Sequence, residues 1–200
     1  MNAGVTSERV YDALKARLLG GGVLPGERLE PKKLANLLAS SVTPVRDALH
    51  RLAVEQIVEM RAAEGFQFPP VTEPGLRDLL GWNHALLRLA LQRWPAGTPA
   101  PGDAVPDGND PGSARALFGA IAERSASAEL LRQVEAASDR LATTRVAERE
   151  VIPGIADELA ELGAAIAGGE ARPVARRVAA YHRRRLSRIP AIVEAIYRHG

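Results

Sequence analysis

The sequence predicts a mainly α-helical chain in two parts: three short helices closed by a β-hairpin, then an all-helical bundle. Three observations carry that expectation. Apolar residues recur at helical spacing through most of the 200 residues. One stretch, residues 57–68, instead reads as two short strands around a glycine-containing turn. Two breaks interrupt the pattern, PPVTEPG at 69–75 and PAGTPAPGDAVPDGNDPG at 95–112, the second with five prolines and four glycines. The boundary is expected near residue 70, giving domains 1–70 and 71–200.

Residues 6–20 carry Val10, Leu14 and Leu18 at i, i+4, i+8, an amphipathic helix stopped by Gly20-Gly21-Gly22. After the turn at Leu24-Pro25-Gly26, Pro31 takes the first position of a short second helix with Leu34, Leu37 and Leu38 on its apolar face. A third helix is expected from an N-cap at Thr43, with Val45, Ala48, Leu49 and Leu52 inward. Ile57 to Met60 reads as a strand, residues 61–65 as a tight turn, and Phe66 to Phe68 as a second strand ended by Pro69-Pro70. Three helices followed by a hairpin make a winged helix-turn-helix.

That arrangement has a physical consequence. A short connection at residues 39–42 makes helices two and three cross steeply, so the third projects its N-terminal end and one polar face. Ser41, Thr43, Arg46 and His50 lie on that face, with Asp47 beside them. Arg46 and His50 are one turn apart, and the free N–H groups at 43–46 suit a phosphate. Arg46 is the first candidate for a base contact, because a guanidinium grips two acceptors of a guanine edge. Lys32 and Lys33 on the second helix, and Arg61 in the wing, are candidates for backbone phosphates.

Composition narrows the alternatives. The hydrophobic fraction of 46% and charged fraction of 25% are those of a globular protein, and no apolar run reaches the ~20 residues of a membrane helix. No signal peptide is visible at the N-terminus, so a cytoplasmic location is expected. The absence of cysteine removes disulfides, thiolate nucleophiles and Cys-based zinc sites. HExxH, GxSxG and phosphate-cradling glycine loops are missing too, so no enzyme is expected. The net charge is only +2, yet it is unevenly spread. Residues 28–51 hold five bases against Glu30 and Asp47, and residues 170–200 hold eight arginines against Glu170 and Glu194. Either run suits a polyanion or is simply a solvated face.

Residues 8–68 resemble the DNA-binding domain of the GntR family of bacterial transcription regulators. The resemblance rests on LPGERLEPKKLANLL at 24–38, SVTPVRDALHRL at 41–52 and IVEMRAAEGFQF at 57–68. It implies a reader of double-stranded DNA through Lys32, Lys33, Ser41, Val42, Thr43, Arg46, His50, Arg61 and Gly65. Two positions depart from the family pattern. Val42 stands where an arginine touching DNA is usual, which would alter sequence preference, by loss of base discrimination or by a shift towards a thymine methyl that valine can touch. Gln56 stands where a glycine is usual, at a position that favours positive φ.

Six helices are expected beyond residue 70, at 75–94, 113–126, 127–149, 156–168, 171–187 and 189–198. The first has an unusually broad apolar face, from Leu76 to Leu91, suited to burial in a bundle and against a partner chain. Placed after a winged helix, this unit resembles the FadR-type (FCD) effector-binding and dimerising domain, in a degenerate and shortened form. Many such domains hold a divalent metal through one aspartate and three histidines. Here those positions fall on Arg115, Gly119 and the neighbourhood of Leu159, and only the last survives, as His182 with a one-residue offset or as Tyr181 without it. A single imidazole holds no metal of that kind, so no metal or other cofactor is expected. Arg115 is the sharper candidate for a carboxylate effector, its alternative being an exposed helix opener. His182 is a pocket residue or a solvent-facing one among Arg176, Arg177 and Arg183–Arg185. His84 and Arg88 complete the effector candidates. The expected function is a homodimeric regulator of a palindromic operator, modulated by a small acidic metabolite. The alternative is a ligand-blind regulator or interaction module whose helical domain only dimerises.

Overall fold

The computed structural model describes residues 3–62, 64–95, 110 and 112–198, and they fall into two compact units, 1–71 with 196–200 and 72–195. The first unit contains α1 (Ala3–Leu19), β1 (Arg28–Leu29), α2 (Pro31–Leu37), α3 (Val42–Val54), β2 (Glu59–Arg61) and β3 (Gly65–Gln67). Its core is the set the periodicity singled out: Val10, Leu14, Leu18, Leu34, Val45, Leu49 and Leu52, joined by Ile57, Val58, Phe66 and Phe68. Burying such side chains is worth roughly 1.5–3 kcal/mol each, which is how helices this short persist.

The three helix ends are built alike. Gly21 (φ 79°), Ala39 (φ 47°) and Gln56 (φ 59°) are left-handed. In each case the next amide reaches back over the helix end, Gly22 to Arg17 O, Ser40 to Ala35 O and Ile57 to Leu52 O, at 3.0, 2.9 and 2.9 Å. Only the first of these positions is glycine.

Two details differ from the expectation. The N-cap of α3 is Ser41, and the helix already includes Val42 and Thr43. The hairpin is part of a three-stranded antiparallel sheet of order β1-β3-β2, with Leu29 opposite Phe66 and Met60 opposite Phe66 on the other side. β1 is two residues long, too short for any alternation to announce it. Its partner β3 is therefore a central strand.

The second unit contains α4 (Glu73–Gln92), α5 (Ser113–Glu123), α6 (Ala128–Arg140), α7 (Ala142–Val151), α8 (Ile155–Ala167), α9 (Ala171–Leu186) and α10 (Ile189–Arg198), the last running into the first unit. Thr72 caps α4, its hydroxyl accepting from Gly75 N–H at 3.2 Å. Leu86, Leu87, Ala90, Phe118, Ile121, Val134, Leu162, Val174 and Val178 form the core. The helix expected over 127–149 is two helices, α6 and α7, meeting at Leu141. Leu141 O there accepts both Thr144 Oγ1 at 2.7 Å and Arg145 N–H at 3.1 Å, and neither proline nor glycine stands at the break. Most of the break at 95–112 lies outside the described residues.

Candidate nucleic-acid interface and the polar cluster of the helical domain

The N-terminal end of α3 is exposed. Ser41, Thr43, Arg46, Asp47 and His50 face solvent, while Val45, Ala48, Leu49 and Leu52 fill the core beneath them. Val42 is half-buried and packs against that core by one side. His50 stands edge-on to Phe66, ring centres 4.9 Å apart, which braces it against β3. The two guanidinium groups of α3 have different surroundings. Arg51 donates to both Glu8 oxygens, at 2.9 and 3.2 Å, and lies 3.8 Å over the Tyr11 ring, and that contact holds the Glu8 carboxyl below its usual range. Arg46 makes no ion pair or hydrogen bond among the described residues.

The remaining basic candidates divide the same way. Lys32 is exposed and unpaired, whereas Lys33 donates to Glu30 at 2.7 Å. Arg61 lies between Glu59 and Glu64, at 3.4 and 3.6 Å. Gly65, at φ 79°, turns the chain into β3 with nothing within 4 Å of where a Cβ would stand. Exposed pairs such as these are worth at most about 1 kcal/mol, so a phosphate can replace the carboxylate at little cost.

The second unit holds a cluster of buried polar groups. His182 has no solvent exposure, so its solvent-facing alternative is corrected. Its place follows from the stripe Val174, Val178, Tyr181, His182, Arg185, all buried on one face of α9, while Arg183 on the next face is exposed. Its Nδ1 lies 2.8 Å from Val178 O and its Nε2 lies 3.0 Å from the Asn83 side chain. Burial lowers its pKa to about 3, so the ring is neutral and Nδ1 carries the proton that Val178 accepts. Nε2 is then an acceptor, and the Asn83 amide meets it with its NH2, turned from an orientation that leaves Nδ2 without a partner. The turn leaves the Asn83 oxygen facing the core, the better tolerated orphan.

His84 stacks on His182 at 4.7 Å, and Arg88 sits one turn further along α4, exposed. Burial, then the Arg88 charge, lowers the pKa of His84. Arg115 lies elsewhere. Its Nε donates to the buried Asp139 at 2.5 Å and its Nη2 is 3.4 Å from Glu135. The structure thus brings His84, Arg88 and His182 together along α4 and α9, with Arg115 committed to α6.

Periodicity alone had not singled out Arg145, Glu148, Glu158 and Arg185. Arg185 has no exposure, lies 3.4 Å over the Tyr181 ring, and donates to Glu148 at 2.9 Å and Glu158 at 2.5 Å. Burial opposes its charge, but Tyr181, Glu148 and Glu158 together outweigh that and raise its pKa. Burial pushes the Glu148 carboxyl up despite Arg185 and Arg145. A readable signal existed: Leu141, Thr144, Arg145, Glu148 and Ile152 sit at i, i+3, i+4, i+7, i+11, charges on a core-facing stripe. These residues do not suit a divalent ion. Both nitrogens of His182 are committed, the Arg115 position brings a cation, and no group of three or more His, Asp or Glu among the described residues converges on one point.

Three helices, the third with an exposed N-terminal end, and a short wing make a winged helix-turn-helix. Residues 6–68 match the bacterial regulatory proteins of the gntR family. The chain is 38% identical over 83 residues to the HTH-type transcriptional regulator McbR of Escherichia coli, a match covering 42% of this chain and 38% of McbR. The solved structure of E. coli McbR superposes with a TM-score of 0.66 at 20% identity, covering 92% of this chain and 97% of that one. A transcriptional regulator GntR from Rhodococcus sp. RHA1 gives 0.72 at 17% identity, covering 94% and 98%. At such identities the likeness beyond the first domain is one of fold. No helix among the described residues is long and apolar enough to cross a membrane.

Proposed function

We propose that the chain is a transcriptional regulator, not an enzyme, that binds a palindromic operator in double-stranded DNA as a homodimer. The observation that carries this reading is Arg46. The guanidinium at the exposed end of α3 is left without a carboxylate, as a base or phosphate contact requires, and the exposed Lys32 of α2 is unpaired as well. Trp82 and Leu89 support the dimer. They are exposed at 49% and 44%, with Ala85 between them on the outer face of α4, an apolar stripe that a two-fold partner would cover.

The test is fluorescence anisotropy with DNA from upstream of the gene, at several salt concentrations, for the wild type and Arg46→Ala. Tight binding that weakens steeply with salt and collapses in the variant supports the reading. Binding no better than to random DNA in both proteins counts against it, and selection from random sequences then separates a distant operator from a protein-binding role.

Modulation by a small acidic metabolite is the finer part of the proposal. Arg88, unpaired and one turn from the His84–His182 stack, is the group best placed to receive a carboxylate, and Arg115 would first have to leave Asp139. A thermal-shift series of organic acids against the wild type, Arg88→Ala and Arg115→Ala tests it; equal shifts in all three remove both residues from the site. A ligand-blind regulator is the second reading. Among the described residues, the cleft beside Arg185 favours it, with about 10 Å³ of free volume, and a hollow of about 540 Å³ is an open groove between α8 and α9.

A further inference from the structure

Helix α9 carries six arginines and no carboxylate, and its two sides treat them differently. On one side every arginine has an acid. Arg177 pairs with Glu161, Arg184 with Glu158, and Arg185 with Glu148 and Glu158. Arg172, Arg176 and Arg183, on the other, are exposed and make no ion pair or hydrogen bond among the described residues. At 3.6 residues per turn these three fall within about 40° of one another round the helix, along about 16 Å of its length. Between Arg176 and Arg183 that face shows only the small side chains of Ala179 and Ala180.

The fold gains nothing from this stripe. Arg172 stands in the first turn of α9, where the positive end of the helix dipole disfavours a cation. Arg176 follows at i+4, the spacing at which like charges repel. Arg183 joins a last turn that Arg184 and Arg185 already supply with cations. Residues that break local rules without a compensating partner on the chain point to a site for something of opposite charge. A multiply anionic occupant offsets both the dipole and the mutual repulsion.

A protein is the poorer fit. Its interface needs a buried apolar centre, and none of the large hydrophobic side chains exposed among the described residues comes from α9. A phosphate backbone needs no such centre, and a guanidinium grips phosphate oxygens in pairs.

We propose that the outer face of α9 is a second contact surface for duplex DNA, indifferent to sequence, on which Arg172, Arg176 and Arg183 each neutralise a backbone phosphate. This rests on the DNA-binding reading above and extends it to the helical domain.

The experiment measures the affinity of the full chain, as salt is raised, for the duplex recovered by selection from random sequence and extended on both sides. Four proteins are compared. They are the wild type, Arg46→Ala, the triple variant Arg172→Ala/Arg176→Ala/Arg183→Ala, and a control, Arg77→Ala/Arg93→Ala/Arg140→Ala. The control removes the same charge from exposed, unpaired arginines elsewhere in the helical domain. Each phosphate contact contributes about 0.9 to the slope of log K on log salt, so the α9 variant is expected to be shallower by about 2 to 3, with an unchanged preferred sequence. The control keeps the wild-type slope. A wild-type slope in the α9 variant, or a slope lowered equally in both triple variants, overturns the proposal. Arg46→Ala separates the two readings: if it weakens binding while the α9 variant leaves the slope alone, the reader stands and this surface does not. A wild type that binds no duplex removes both.

Discussion

His182 makes the folded state sensitive to acid. In the native protein its pKa is about 3, against 6.5 unperturbed, because the ring has lost its water and faces the charges of Arg185 and Arg145 as well as His84. The unfolded chain therefore takes up a proton as the pH falls through 6.5, while the native chain refuses it until near 3. Stability is fully present above the unfolded pKa and is lost on going down, at about 1.36 kcal/mol per pH unit within that window. Between pH 7 and pH 5 the loss from this one group comes to roughly 2 kcal/mol, a substantial part of a typical domain's stability. Urea unfolding at the two pH values measures it, comparing the wild type with His182→Gln, whose side chain bonds but does not titrate. The variant is expected to lose about 2 kcal/mol less than the wild type. A pH dependence equal in both, or an NMR titration placing the His182 pKa above 5, would refute the burial argument.

Four other outcomes are expected. Gln56→Gly relieves a left-handed residue at the end of α3; the relief of ~1–2 kcal/mol less the ~0.5–1 kcal/mol entropy of glycine leaves a net gain of roughly half a kcal/mol, read as a higher urea midpoint at unchanged slope. Arg46→Ala weakens operator binding by about 1–3 kcal/mol, with relaxed preference at one base if the contact is to a base, or a salt slope reduced by about 1 if it is to a phosphate. Glu55→Gln loosens the tie between α1 and α3, because Glu55 accepts from Tyr11 Oη at 2.5 Å and Lys15 Nζ at 2.7 Å; about 1 kcal/mol is lost in chemical unfolding, and less at high salt. Val42→Arg changes the preferred site in a selection from random DNA, and an unchanged consensus would show that position 42 does not read bases.

Much of the fold was legible because its signals are local. Pro31, the glycine run after α1 and the Leu/Val periodicity of α1 and α3 each fix an element without help from elsewhere. What was not legible depends on distant partners. β1 exists because Leu29 finds Phe66 across the sheet, and two residues alone carry no pattern. The α6–α7 break at Leu141 has no proline or glycine to announce it. Among the site residues, the face of α3 followed from helix periodicity, whereas His182 was obscured by the arginines on either side of its stripe. Arg145, Glu148 and Arg185 carry charge at buried positions whose cost is offset by one another and by Glu158, Ser138 and Tyr181, groups that only the tertiary fold brings together.

The central position of β3 has a mechanical consequence. Phe66 is bonded through its backbone register to Leu29, which leads directly into α2, and its ring braces His50 on α3. The wing is thus a rib rather than a flap, and the two surfaces that would touch a duplex cannot drift independently. Ordering entropy at the reader is spent when the chain folds, not when it meets its site. Amide exchange should show this directly: the backbone N–H groups of β3 should open only with the domain as a whole, while those of β2 at the sheet edge exchange sooner.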